Sequence, residues 1–598
     1  MKPRTNRVTR RQALKAAAVT IGSVAIWPLL SACSAAPPQA AKPAGEVKPA
    51  TEPKPAEAPK PAAPAQQAPA TVAPAPVVQP TAMPEAQVGA MMKAPEPNPK
   101  RGGVLRTAWG ATTAHTDIHQ GGNNTVLIQL YDGLITKNLA TGLRGFVPAL
   151  ATKWDVSPDG KVYTFSLREG VKFHDGTPFT SADVVATFTR IISPPSGVVS
   201  IYKDELAPVA GVDAPDAKTA RFTLKNAWAP FIEVIASPSM IVYPKKALDE
   251  NNGDLKKVIA PGTGPFVFKD HKVGEQWTFE RNPNYWNPEL PYVDRLEMLH
   301  VAAWNDRGAA VMTDQASFSW NVSPQLWEDA IKRSDLGGAQ IPCLNSHTVM
   351  VNNTRKPFDD PRVRRAIHLA VSRQNMFQAI STQEPVFLSR WMPYASPFSP
   401  PNAELEKLPG YRADKDADIA EAKKLLAAAG YPEGFENVEI VTPSVAQWAE
   451  INTPAFQDEL KKTLNIRATI RLVERGVLSE EYKGGNWDML LEGAFQSNYI
   501  DPTVLWTSHL KTGASINWSR YSNPKLDTII DQLNVETDDA KRKALFGQGM
   551  DLLDENPPFY LIGFCAHSPL WQSYVKGMAM DKRLHVEWGR LDTVWIDK

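Results

Sequence analysis

Lys161-Val162-Tyr163-Thr164-Phe165-Ser166-Leu167-Arg168-Glu169-Gly170-Val171-Lys172-Phe173-His174-Asp175-Gly176-Thr177-Pro178 is the stretch that decides the fold. Tyr163, Phe165 and Leu167 alternate with other residues, the period of a strand with one buried face. His174-Asp175-Gly176 is a turn signal. Immediately after it, Thr180-Ser181-Ala182-Asp183 has capping-box spacing, which starts a helix through Val184, Val185 and Phe188 with Thr180 at its cap. Strand, turn and capped helix in close succession predict a mixed α/β chain.

Further helices are marked in the same way. Asp360-Pro361 reads as an N-cap followed by proline at the first helical position. Val363, Ala366, Ile367, Ala370 and Val371 then recur at helical spacing and define a buried face. Between Ile419 and Ala429, Ala422, Leu425 and Leu426 point inward and Gly430 ends the helix. Ordered sequence begins at Gly102-Gly103-Val104-Leu105-Arg106, and no internal repeat is visible.

The chain has 598 residues, too many for one core, so two or three domains are expected. Its net charge is +1, with 65 basic and 64 acidic residues. Lys2, Arg4, Arg7, Arg10, Arg11 and Lys15 precede Cys33 with no acid among them. Without those six, 59 bases face 64 acids and the net charge is −5. That argues against a nucleic-acid binder, which needs a basic face for phosphate contacts.

Thr9-Arg10-Arg11-Gln12-Ala13-Leu14-Lys15 resembles a twin-arginine export signal, with Ala13 where phenylalanine is usual. Leu30-Ser31-Ala32-Cys33 resembles a lipoprotein cleavage box. The apolar run Ala16 to Leu30 is shorter than the roughly 20 residues of a membrane span. Residues 1–33 therefore read as a removable signal, after which Cys33 carries lipid and tethers the protein to a membrane. Residues 34–100 form an Ala/Pro-rich tether. From Ser34 to Pro99 the chain has 17 of its 52 prolines and no Phe, Trp or Tyr, so it has little apolar surface to offset ordering entropy. A passive spacer and a Pro-rich docking motif both fit this composition.

The ordered motifs together resemble the family 5 extracellular solute-binding proteins, components of ATP-binding-cassette importers. The resemblance begins at Pro148-Ala149-Leu150-Ala151 and runs through Leu167–Pro178. It continues with Gly262-Thr263-Gly264-Pro265-Phe266, Arg281-Asn282-Pro283-Asn284-Tyr285-Trp286 and Pro357–Ile367, and ends with Ala422–Pro432 and Tyr521–Asp527. It implies a two-lobed, periplasmic-binding-protein-like (class II type) α/β fold with an extra inserted domain and a hinged cleft. Mapped by motif, lobe I takes residues 101–142, 260–343 and 566–598, domain II takes 143–259, and lobe III takes 344–565. Cys343 and Cys565 fall at the two crossings between lobes I and III. A hinge disulfide and two buried free thiols are the alternatives.

The resemblance also places candidate ligand contacts. In peptide-binding members an aspartate near a proline turn receives the ligand's α-amine. Ser497-Asn498-Tyr499-Ile500-Asp501-Pro502 sets Asn498 at that position, with Tyr499 beside it. An amide brings no charge, and a hydrogen bond to a charged group contributes about 1.5–3 kcal/mol against ~1 for neutral partners. Arg390 and Trp391 fall on an expected cleft loop of lobe III. Trp506 is a second stacking candidate, and for both tryptophans simple burial is the alternative. Thr112 and His115 lie on the loop after the first strand. His115-Thr116-Asp117-Ile118-His119 has no third histidine nearby and reads as loop rather than metal site.

No Gly-x-Ser-x-Gly elbow and no P-loop occur. Asp360 is better used as a cap than as half of a carboxylate pair with Asp359, and Glu404 and Glu406 read as exposed charge. The expected role is a lipid-anchored, extracytoplasmic receptor. It works as a monomer without cofactor or catalysis and delivers a solute, by default a peptide, to a permease and its ATPase subunits. A non-peptide solute receptor (oligosaccharide, opine or metal chelate) and an extracytoplasmic hydrolase are the alternatives.

Overall fold

Tyr163, Phe165 and Leu167 turn inward together on the strand Val162–Leu167, as their alternation requires. The helix Ser181–Ile192 follows, with the Asp183 carboxylate accepting from the Thr180 backbone N–H at 2.8 Å and from its hydroxyl at 3.1 Å. Val184, Phe188 and Ile191 face the sheet, and the Phe188 ring packs edge-on against Phe222 at 4.9 Å. The computed structural model describes residues 98–598 apart from 111–114, 123, 138–144, 381–384, 395, 445–446, 475–477, 492–494, 497–498 and 579–588.

Three large sheets organise these residues. A four-stranded antiparallel sheet, in the order Ala151–Val156, Val162–Leu167, Thr219–Leu224, Val209–Asp216, carries the aromatic core just described and is called domain II here. A seven-stranded sheet, lobe I, gathers distant parts of the chain around the strand Val104–Trp109. That strand runs parallel to both Arg295–His300 and Phe318–Ser319. A six-stranded sheet, lobe III, is built on Ile341–Val351 and Phe559–His567, which pair antiparallel.

The helices expected in lobe III are present. Pro361–Ala370 starts at Asp360, whose side chain accepts from Arg362 N–H at 2.8 Å, and its Val363, Ala366 and Ile367 are buried. Asp416–Ala428 buries Ala422 and Leu426 and is followed by Gly430 at φ +96°. That left-handed conformation suits glycine.

Lobe I and domain II are fastened by buried polar contacts. His174, from the turn of domain II, accepts from Gly262 N–H at 3.2 Å and donates through Nε2 to the Gly264 carbonyl at 3.0 Å. A Cβ at Gly262 would lie 1.8 Å from the Leu130 carbonyl oxygen, so only glycine permits this approach. Asp132 next to it, within lobe I, accepts from Thr263 (3.1 Å), Trp286 Nε1 (3.0 Å), Tyr285 (3.2 Å) and Arg590 (2.8 Å). Arg168 lies over the Trp286 ring at 4.3 Å. A second tie joins Arg190 of domain II to Asp117 of lobe I, both buried.

Lobe III is attached differently. The chain passes from the seven-stranded to the six-stranded sheet between Gly338 and Ile341 and returns between His567 and Leu570. Cys343 and Cys565 are joined by a disulfide across the two crossing strands, with Cα atoms 5.4 Å apart. Intact mass should rise by two hydrogens on reduction of exported protein, and replacing both cysteines by alanine should cost about 2–4 kcal/mol of stability in denaturant titration. Two thiols that alkylate without reductant would contradict the bond.

Candidate functional site

A segment of domain II and a helical region of lobe III face each other across a cavity of about 810 Å³. On the domain II side, residues 198–208 form a turn-rich loop held to lobe I. Val199 N–H donates to Gln120 Oε1 at 3.2 Å and Ile201 N–H to the His119 carbonyl at 3.1 Å. This loop presents Ile201, Asp204 and Glu205 to the cavity, and Trp228 stands beside them. On the lobe III side, the helix Pro502–His509 is capped by Asp501, which accepts from Thr503 N–H at 2.9 Å and pairs with Arg542 at 2.6 Å. It contributes Val504, Leu505, Thr507, Ser508 and His509 to the wall. Trp518 joins them, its ring stacked on Tyr482 with centroids 4.1 Å apart. The volume lies within the range of small-solute sites.

Direct polar contacts among the described residues bridge the two sides. The Tyr499 hydroxyl donates to Glu205, and the Tyr499 ring is buried within the domain II core. Trp228 Nε1 donates to Asn534 Oδ1 at 3.1 Å, and Ala229 N–H to the Asn534 carbonyl at 2.7 Å. Ile500 N–H donates to Glu233 at 3.3 Å. Glu233 is also the partner of Lys137, whose ammonium burial pulls down to about 7 against the opposing charge of Asp501. For Glu205, burial pushes the carboxyl up to about 7, the Tyr499 hydrogen bond opposes this, and Asp204 adds to the rise.

Of the residues singled out in the sequence, Tyr499 lies on the cavity wall. Thr112, Asn498 and Cys33 lie outside the described residues. His115 is half-buried in the loop before a single helical turn, Ile118–Gln120. In that loop Asp117 is taken up by Arg190, Gln120 and the His119 backbone, and burial together with Arg190 lowers His119 to about 3. Among the described residues no group of three His, Cys, Asp or Glu is placed to hold a metal.

Arg390, Trp391 and Trp506, offered above as ligand contacts, are packing residues of lobe III in this structure. Trp391 is fully buried at φ +56°, and its Nε1 donates to Asp554 at 2.6 Å. Arg390 pairs with Asp551 and Asp554, each at 2.6 Å. Trp506 donates to the Trp391 carbonyl at 2.7 Å and fits over Gly549. It shares a helix with five cavity residues but points the other way, because successive side chains turn about 100°. Glu205, Trp228 and Trp518 were not anticipated. They meet only through folding, and no local spacing marks them.

The Glu205 shift has a definite sign. The carboxyl releases its proton near 4.5 when unfolded and near 7 when folded. Between those values the folded state holds the extra proton, so this group's stabilisation falls as pH rises. The difference in thermal midpoint between wild type and Glu205→Gln should decline from about pH 5 to about pH 8. A difference that is flat or rises with pH would contradict the assignment.

A family model described as "Bacterial extracellular solute-binding proteins, family 5 Middle" matches residues 145–515. The chain is 29% identical over 457 residues to Di/tripeptide-binding protein 1 of Pseudomonas aeruginosa (strain UCBPP-PA14), covering 71% of this chain and 81% of that protein. It is 25% identical over 468 residues to the Glutathione-binding protein GsiB of Escherichia coli (strain K12), covering 73% and 83%. The periplasmic binding protein DppA from Helicobacter pylori, in complex with the peptide STSA, matches with a TM-score of 0.69 at 24% identity over 83% of this chain and 99% of that one. AgaA from A. tumefaciens R10, in complex with agropinic acid, matches with a TM-score of 0.68, also at 24% identity over 83% and 99%. The fold is therefore the two-lobed one of periplasmic binding proteins.

Proposed function

We propose that this chain, which belongs to family 5 of the bacterial extracellular solute-binding proteins, captures a short peptide between domain II and lobe III and hands it to an importer permease driven by separate ATPase subunits. One observation carries the reading: a cavity of about 810 Å³, bounded by two units of the fold and lined by apolar and aromatic side chains interspersed with polar ones. Such a lining fits reversible binding of a solute. Two relatives named for di- and tripeptide binding and for glutathione binding support a short peptide.

In this reading residues 1–33 direct export, Cys33 takes a lipid, and residues 34–100 let the folded part range above the membrane. Lobe I comprises 101–142, 260–343 and 566–598, domain II 143–259, and lobe III 344–565. The protein acts as a monomer and leaves its solute chemically unchanged. Among the described residues no helix is long and apolar enough to cross a membrane.

A non-peptide solute is the second reading, favoured by the agropinic acid complex on the same fold and by the uncharged amide of Asn498. Isothermal titration with di- to pentapeptides decides between them. Peptides should bind without product forming, and Trp518→Ala should weaken them at least about tenfold, or 1.4 kcal/mol. Failure of every peptide alongside binding of an opine would reverse the order of the two readings, and peptide turnover would overturn both.

A further inference from the structure

The cavity wall is uneven in charge. Asp204 and Glu205 sit side by side on the domain II loop, and Asp531 is the third acid of the lining. Asp531 is neutralised by Lys511. Lys225, the one lysine of the described lining, directs its ammonium to the Ala207 carbonyl at 2.7 Å. Among the described residues neither Asp204 nor Glu205 is paired with a lysine, arginine or histidine. Glu205 receives the neutral Tyr499 hydroxyl.

A carboxylate removed from water and lacking a cation is costly to keep charged, which agrees with the raised titration of Glu205. The remaining surface suits an apolar or flat group. Trp228 and Trp518 line it, together with Val504 and Ile516. Indole faces also attract cations more strongly than other aromatic rings. A half-buried Glu205 without a counter-ion, an exposed Asp204 beside it and two indoles, all on the wall of one cavity, match a single ligand chemistry.

We propose that the cavity selects solutes carrying a positive charge beside an apolar body, with Glu205 and Asp204 receiving the charge and Trp228 and Trp518 the body. This deepens the solute-capture reading above and rests on it. It assigns specificity to domain II, on the loop between Val198 and Pro208, rather than to lobe III alone.

The test compares charged and neutral members of closely matched pairs by titration calorimetry on the full folded protein. One pair series is tri-alanine with lysine or norleucine at each position in turn. The other is 4-phenylbutylamine against 4-phenylbutanol. The charged member of at least one pair should bind tenfold or more tightly than its neutral partner. Glu205→Gln combined with Asp204→Asn should bring that ratio close to one. The ratio is the readout because loss of the Tyr499 contact would weaken both members alike.

A ratio below twofold for every pair in wild type, or one unchanged in the double variant, overturns the charge preference. If peptides bind without regard to charge, the preference falls while the peptide reading stands. If peptides fail but the amine outbinds the alcohol through Glu205, the preference stands and the peptide reading falls. Failure of all four kinds of probe overturns both.

Discussion

The two adjacent strands through which the chain enters and leaves lobe III, linked by Cys343–Cys565, are the constraint on which the rest of the molecule depends. Lobe III is one uninterrupted excursion of the chain, so its covalent connection to the other units lies at a single place. A paired, covalently linked two-strand ribbon resists sliding of one strand past the other but still allows bending and twisting. Motion about such a ribbon is the hinge type, in which a few residues absorb the rotation. Any change in the width of the cavity has to be accommodated there.

The two seams of domain II differ in kind. Against lobe I it has buried ion pairs and close glycine contacts, from His174 on Gly262 and Gly264 to Arg190 on Asp117. Separating these would leave buried charges without partners, a cost of about 3–5 kcal/mol for one pair. Against lobe III, around the cavity, it has a few hydrogen bonds, among them Trp228–Asn534 and Tyr499–Glu205. A typical hydrogen bond contributes only about 0.5–1.5 kcal/mol net. In the solute-capture reading the seam at the cavity is the one that opens, and a solute touching both sides would shift the population toward the closed arrangement by its differential affinity.

This contrast also explains what the sequence revealed. The motifs from Leu167 to Pro178, Gly262 to Phe266 and Asn282 to Trp286 converge around Asp132 and His174. Each residue there has a demanding partner: glycine for close approach, tryptophan and tyrosine for the carboxylate. Such requirements leave a readable mark, and the fold was legible from them. The cavity makes weaker demands. Glu205, Trp228 and Trp518 belong to segments far apart in sequence, and nothing nearby distinguishes them from ordinary surface or core residues. Trp391 and Trp506 had the composition of a binding site but serve the lobe III core. Tyr499 was reachable because it adjoins the capped turn Asp501-Pro502.

Solute capture between domain II and lobe III is tested most directly by the distance between these two units. Spin labels on cysteines replacing the exposed Lys218 of domain II and Lys525 of lobe III report it, with the native disulfide left intact. Addition of a solute that calorimetry shows to bind should replace a broad distribution with a narrower and shorter one. A distribution unchanged at saturation would contradict closure around a guest held in this cavity.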